Sequence, residues 1–270
     1  MNLALDRELG AGYKSAAQKI RVVSEAWLLA NAWCAGCGSA LAKFPNNNPF
    51  ADAWCPACGE EYELKSSRTA LGGRLADGAY STMIGKINAG LAPNLFHLHY
   101  DPANFHVLHF TLVPRQFIIA DLVIKRAPLT QGARRKGWTG CFIDTDRIPE
   151  AGKIRVIAPG YCPRQEEILD MYQRVRFLQA SSPGLRGWKL DIIRCIEKLS
   201  MPEFTLKDMR QFVAELKKLH PANRNIEAKI RQQLQFLRDA GYLEFLGSGK
   251  YRLKSLNTKT QAAQCAFPPD

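Results

Sequence analysis

Cys34-Ala35-Gly36-Cys37-Gly38 and Cys55-Pro56-Ala57-Cys58-Gly59 bracket Asp52, and Glu63-Leu64-Lys65 follows just beyond them. Zinc favours a tetrahedron of thiolates, and two Cys-x2-Cys pairs on tight turns deliver four sulfurs without straining the chain. The glycines at 36, 38 and 59 suit such turns. Because Cys34, Cys37, Cys55 and Cys58 fill every ligand position, no place remains for a catalytic water, and the expected zinc is structural. Two carboxylates, Asp52 and Glu63, and the amine of Lys65 share this stretch, so a metal clamp and a candidate catalytic site are interleaved.

The chain has 270 residues and carries 37 Lys and Arg against 25 Asp and Glu, a net charge of +12 with a pI near 9.4. That length suits two domains with a sizeable core. The basic excess points to a polyanion, and to nucleic acid ahead of membrane because no long basic amphipathic helix stands alone. Residues 1–10 contain Asp6, Arg7 and Glu8 and no apolar run, unlike a signal peptide or anchor. The longest apolar stretch, 117–124, is interrupted by Asp121 and is too short to cross a bilayer. Cys141, Cys162, Cys195 and Cys265 are expected to be free thiols in a reducing cytoplasm.

Apolar periodicity predicts a helix over 13–30, with Ile20, Val23, Trp27 and Ala30 on one face. A turn at 46–49 and strands at 51–54 and 62–65 follow. A Gly-rich loop at 71–74 leads to a helix over 76–89, then to strands at 95–100 and 106–113. Residues 126–140 read as a basic loop in which Arg126, Arg134, Arg135 and Lys136 surround Trp138. Strands at 141–144 and 154–158 and a helix over 165–179 complete an α/β domain spanning 1–182, with the boundary at 181–184.

The remainder has its own pattern. A helix over 188–199 carries Leu190, Ile193 and Ile196, Thr205 caps a second helix with Asp208 at its third position, and a third helix follows Pro221. Ile226, Ile230, Leu234 and Leu237 make one stripe of that third helix, leaving Asn225, Arg231, Gln232 and Gln235 opposite. Residues 242–245 and 250–253 form a hairpin around Gly247-Ser248-Gly249, so 183–258 reads as a winged helix. This segment has 15 Lys and Arg against 8 Asp and Glu, +7 of the net +12. Its outer face offers side chains that read base edges, with Lys229 and the Lys250 return strand beside them. Many winged helices bind protein instead, and that reading stays open here. The tail, 259–270, lacks apolar periodicity and is expected to be disordered.

On a strand, residues two apart face one way, so Glu63 and Lys65 share a surface. If Asp52 pairs beside them, two carboxylates converge on a hard cation, as Mg²⁺-dependent phosphodiester cleavage requires, and the backbone carbonyl of Leu64 offers a third ligand. Lys65 would orient the attacking water and offset charge on the phosphorane. An ordinary half-buried strand with a solvated face fits Glu-Tyr-Glu-Leu-Lys equally well. His97, His99, His106 and His109 alternate as strand residues do, and hydrogen-bonded or solvated histidines outrank a second metal site there. Glu25 on the first helix reads as a plain surface carboxylate ahead of a residue that reaches the metal through water. Gly72-Gly73 has no following Lys-Ser/Thr and reads as a DNA-facing loop, with no nucleotide site.

Ala51-Asp52 with Glu63-Leu64-Lys65, the interleaved cysteine pairs, Asp77-Gly78-Ala79-Tyr80, residues 133–141 and residues 229–235 together resemble the DpnI family of methyl-dependent type II restriction endonucleases, over roughly residues 1–254. The resemblance implies a PD-(D/E)XK nuclease domain followed by a winged helix. It implies duplex GATC carrying 6-methyladenine as substrate, cut in both strands, with catalytic Mg²⁺ at Asp52, Glu63 and Leu64 and structural zinc. Ala51 stands where the nuclease motif nominally has proline, which is not a ligand. Arg134, Arg135, Lys136, Trp138, Asn225, Lys229, Arg231, Gln232, Gln235 and Lys250 are the expected DNA contacts, and a monomer without an obligate protein partner is the expected form. The rival, a non-enzymatic zinc-ribbon and winged-helix regulator, explains the charge but not an acid and an amine on one strand face after the clamp.

Overall fold

The computed structural model describes residues 1–44, 51–180 and 183–254. The expected turn at 46–49, positions 181–182 of the expected boundary and the tail at 259–270 lie outside them. Helix α1 (Ala16–Asn31) buries Val23, Trp27 and Leu28. Its buried stripe is centred between Val23 and Leu28, so Ala30, expected on that face, falls at the edge and is exposed. Strands β1 (Ala42–Lys43), β2 (Ala53–Trp54), β3 (Glu61–Ser67) and β4 (Arg74–Ala79) precede helix α2 (Tyr80–Asn88), and β5 (Asn94–Tyr100), β6 (Val107–Val113), β7 (Val123–Lys125), β8 (Gly140–Asp144) and β9 (Ile154–Ile157) lead to α3 (Gln165–Val175).

The main sheet has six strands in the order β1-β2-β3-β5-β6-β9, with only β3 and β5 parallel. Parallel neighbours need a crossover, and β4 and α2 belong to it. Alternation sorts the side chains into two faces. Tyr62, Phe96, Leu98, Phe110 and Leu112 pack with Val23, Trp27 and Leu28 of α1 and with Ile168 and Tyr172 of α3. Leu95 and Val113, on the other face, join Met83 and Ile87 of α2. Glu63 and Lys65 pair in register with Leu95 and His97, and so belong to this second face.

Residues 76–79, expected to be helical, are strand. Leu75, Asp77 and Ala79 are the half-buried alternate positions, and Gly78 disfavours a helical start. β4 pairs with β8, and β8 with β7, in a separate antiparallel sheet. The short strand β7 lies inside the apolar stretch at 117–124 and beyond it, where periodicity alone gave no strand.

The C-terminal region consists of α4 (Pro183–Leu199), β10 (Glu203–Thr205), α5 (Leu206–Met209), α6 (Val213–Leu219), α7 (Ile226–Asp239), β11 (Leu243–Gly247) and β12 (Lys250–Leu253). The strands form a β10-β12-β11 sheet, giving a winged helix. Thr205 and Asp208 make a reciprocal capping box, as expected, but the helix they start breaks at a 3-10 turn, Arg210–Phe212, before α6. Gly247 and Gly249 take the left-handed conformation at the wing turn, with φ of 90° and 74°.

One apolar cluster runs from Phe117, Ile118 and Ile119 through Val175 and Leu178 into Ile192, Ile193, Ile196, Leu234 and Leu237. Glu197 of α4 also accepts from the backbone N–H groups of Glu150 and Ala151, both at 2.8 Å. The winged helix is therefore packed onto the first domain. No helix among the described residues is long and apolar enough to cross a membrane. Cys141 and Cys195 are free and buried. Cys162, expected to be free, is disulfide-bonded, which removes it from the argument for a reducing compartment.

Candidate active site

Each Cys-x2-Cys-Gly segment folds into the same knuckle. Gly38 N–H donates to the Cys34 carbonyl at 2.7 Å and Gly59 N–H to the Cys55 carbonyl at 2.8 Å. Both glycines have positive φ, 79° and 75°, which a side chain would strain. The four Sγ atoms lie within 4.8 Å of one another. Cys34 and Cys58 are 3.4 Å apart, and Cys37 and Cys55 are 3.5 Å apart. Sulfurs held about 2.3 Å from one tetrahedral centre would be about 3.8 Å apart, so the set fits zinc. Gly36 N–H donates to Cys34 Sγ at 3.3 Å, a bond that favours thiolate.

Tyr62 ties this clamp to the strand beside it. Its hydroxyl is 3.1 Å from Cys34 Sγ and accepts from Ala35 N–H at 2.9 Å, while its ring stacks on Phe96 at 5.0 Å between centroids. The next residue, Glu63, turns to the opposite face, so the clamp and the catalytic candidates fix one strand from its two sides.

Asp52 sits at the entry to β2. Its N–H donates to the Tyr62 carbonyl, and its Oδ2 accepts from Leu64 N–H at 2.8 Å. Lys65 Nζ lies 2.5 Å from Glu63 Oε1 and 2.6 Å from Asp77 Oδ1. Burial raises the pKa of Asp52, and the charge of Glu25 adds to the rise, outweighing the Leu64 hydrogen bond and Lys65. Burial likewise raises Glu63, with Asp77 adding and Lys65 opposing. Burial works against the Lys65 ammonium, but Glu63 and Asp77 together hold its pKa above the usual lysine value. Two carboxylates, Glu63 and Asp77, close on the Lys65 amine, and Asp52 is tied to the same strand through Leu64 N–H.

Asp77 escaped sequence reasoning. A bulge between Asp77 and Ala79 redirects β4, and the Asp77 side chain, only 5% exposed, reaches Lys65 from the second sheet. Glu25, expected on the surface, is buried in α1, where Arg21 at 2.6 Å and Lys43 at 3.2 Å pair with it. His99 and His109 hydrogen-bond to each other through Nδ1 at 2.8 Å. Apart from the four cysteines, no group of three or more His, Cys, Asp or Glu residues is gathered for a metal among the described residues.

The candidate DNA contacts fall on two surfaces. In the basic loop Arg134, Arg135 and Lys136 are exposed, and Arg135 lies 4.7 Å above the Trp138 ring. The indole folds back on its own loop, where a Cβ on Gly140 would come within 2.8 Å of it. On α7, Asn225, Lys229 and Gln232 line a concavity of about 480 Å³ with Asn223 and Arg224. Arg231 lines a different hollow, beside the Arg210–Glu227 ion pair, and Gln235 is exposed. Lys250 is engaged by Glu203 at 2.5 Å. The other expected stripe holds, since Ile226, Ile230, Leu234 and Leu237 are all buried. Residues 1–181 match the family model described as DpnI, Dam-replacing family, and residues 184–253 match the Dam-replacing HTH domain.

The chain belongs to the DpnI family. The resemblance drawn from its motifs is thereby borne out, as is the fold class, a sheet-rich α/β domain with a four-Cys cluster followed by a helix-turn-helix domain. DpnI membership implies a restriction nuclease acting on methylated DNA, and the second domain implies DNA binding.

Proposed function

We propose that this protein is a type II restriction endonuclease that hydrolyses both strands of duplex DNA at GATC sites containing 6-methyladenine. Residues 1–182 would cut and residues 183–258 would read. The observation that carries the proposal is the half-buried carboxylate cluster around Lys65, on a strand braced by the four-cysteine clamp. Asp52, Glu63 and the Leu64 main-chain carbonyl would hold Mg²⁺. When bound, that ion supplies polarisation of the scissile phosphate and a lowered pKa for the attacking water. Lys65, kept protonated by Glu63 and Asp77, orients the water and offsets negative charge on the phosphorane. Cys34, Cys37, Cys55 and Cys58 would hold zinc in a purely structural role.

Burying a single methyl group is worth about 0.8 kcal/mol, roughly a fourfold preference, too little for a nuclease that must spare unmethylated sites. A palindromic GATC presents two methyl groups in the major groove, and two reading surfaces can test them in succession. The loop with Arg134, Arg135, Lys136 and Trp138 and the face of α7 with Asn225, Lys229, Arg231, Gln232 and Gln235 are those surfaces, with Lys250 on the wing. A monomer in the cytoplasm, with no protein partner, suffices for this chemistry. The test is incubation of methylated and unmethylated plasmid with and without Mg²⁺, alongside Asp52→Ala. Cleavage confined to methylated plasmid, dependent on Mg²⁺ and abolished in the variant with DNA binding retained, is expected. Cutting by Asp52→Ala would overturn the catalytic assignment, and cutting indifferent to methylation would overturn the substrate.

A further inference from the structure

A buried guanidinium that pairs with no anion among the described residues stands at the junction of the two domains. Arg186, in α4, is 8% exposed, and its Nε has no hydrogen-bond partner among the described residues. No carboxylate among the described residues is paired with it. Burial lowers its pKa, and the charge that adds to the fall is another cation, Arg115. Arg115 follows β6 in the 3-10 turn Arg115–Phe117 and lies 3.3 Å from Glu60, which also accepts from Asn94 Nδ2 at 2.8 Å. Glu60 thus pairs with Arg115 and leaves Arg186 without a carboxylate among the described residues.

Between them is a cavity of about 100 Å³, walled by Ile87 and Ile118 and reached by Arg115, Arg186 and Gln179. Leaving a cation buried and uncompensated costs several kcal/mol, and the usual remedy is an oppositely charged partner. Nothing in the protein chain supplies it among the described residues. The cavity has room for one tetrahedral oxyanion and no room for a nucleotide, and the guanidinium fork matches phosphate oxygens.

We propose that this cavity is a phosphate-binding site in which Arg186 of the winged helix and Arg115 of the first domain hold one phosphate group between them. The bound group offsets the surplus cation and ties α4 to the turn after β6. The same chemistry has two sources, free orthophosphate or a phosphate of the DNA backbone.

The full chain is tested by thermal unfolding in orthophosphate and in chloride at equal ionic strength, with ³¹P line broadening of orthophosphate as a direct readout. At a hundredfold excess over Kd, phosphate should raise Tm on the order of 5 °C beyond chloride and saturate. Arg186→Met should lose that rise and should melt no lower than the parent without phosphate, because it removes an uncompensated charge. A rise no larger than that in chloride, or one retained in Arg186→Met, overturns the site. If the variant does not fold, the parent's ³¹P signal decides, and its failure to broaden overturns the site as well. Binding to unmethylated duplex identifies the source. A salt slope smaller by about one in Arg186→Met, with competition by orthophosphate, assigns a backbone phosphate, and an unchanged slope assigns the free ion.

Discussion

His97 should make the protein acid-labile in a way that one substitution removes. It lies on β5 between Lys65 and Thr111 in register, is 2% exposed, and has an Nδ1 with no hydrogen-bond partner among the described residues. Burial, reinforced by His99 and His109, pushes its pKa down to about 4 from the usual 6.5. The folded state therefore binds fewer protons than the unfolded state between these values, so stability is intact above pH 6.5 and is lost as pH falls toward 4. At 1.36 kcal/mol per decade of proton affinity the full loss is about 3 kcal/mol, of which about 2 kcal/mol is gone by pH 5. Urea unfolding of the parent and of His97→Leu at pH 7.5 and pH 5 isolates this loss, because acid effects on the cysteine clamp and on other groups are common to both proteins. The parent should lose about 2 kcal/mol more than the variant over that interval. Equal losses, or an imidazole that titrates near 6.5 in the folded protein, would refute the reasoning.

Asp77→Asn keeps the shape of the side chain but removes half of the charge that holds Lys65, so the cleavage rate should fall at least tenfold with KM little changed, and the alkaline limb of the pH profile should move to lower pH. An unaltered profile would remove Asp77 from the machinery. One zinc per chain is expected by metal analysis, and Cys37→Ser should lower both the zinc content and Tm; full zinc occupancy in that variant would contradict the clamp. Trp138→Ala should reduce cleavage of methylated sites at least tenfold while costing less than about 2 kcal/mol of stability, since the indole is only half-buried against Gly140. A variant that keeps the parent's preference for methylated DNA would leave methyl reading to α7.

The two cysteine pairs were legible because four identical ligands at regular spacing have few other uses, and the order of helices and strands followed from periodicity wherever elements were long. Glu63 and Lys65 could be put on one face for the same reason. Asp77 could not be found, because it comes to Lys65 from another sheet, through a bulge that no local pattern announces. Its strand was misread as helix because Ala76 and Ala79 favour helix when taken singly, and only pairing with β8 makes the segment extended. The contact between Tyr62 and Cys34 was equally hidden, since it depends on how β3 packs against the first knuckle. Thr205 and Asp208 were readable as a cap, while the break at Arg210–Phe212 is a tertiary effect.

The continuous apolar seam through Ile119, Leu178 and Ile193 bears on how specificity can change in such proteins. A DNA-reading module on a loose tether can be exchanged between nucleases as a cassette, because cutting and lifting it out leaves both parts folded. Here α4 is both the first helix of the reader and a wall of the cutter's core, and Glu197 completes a turn of the partner domain. Recombination at the boundary would open both cores at once. On the proposed reading, new sequence preferences would be reached by substitution on the outer faces of α7 and the wing, and not by swapping the domain.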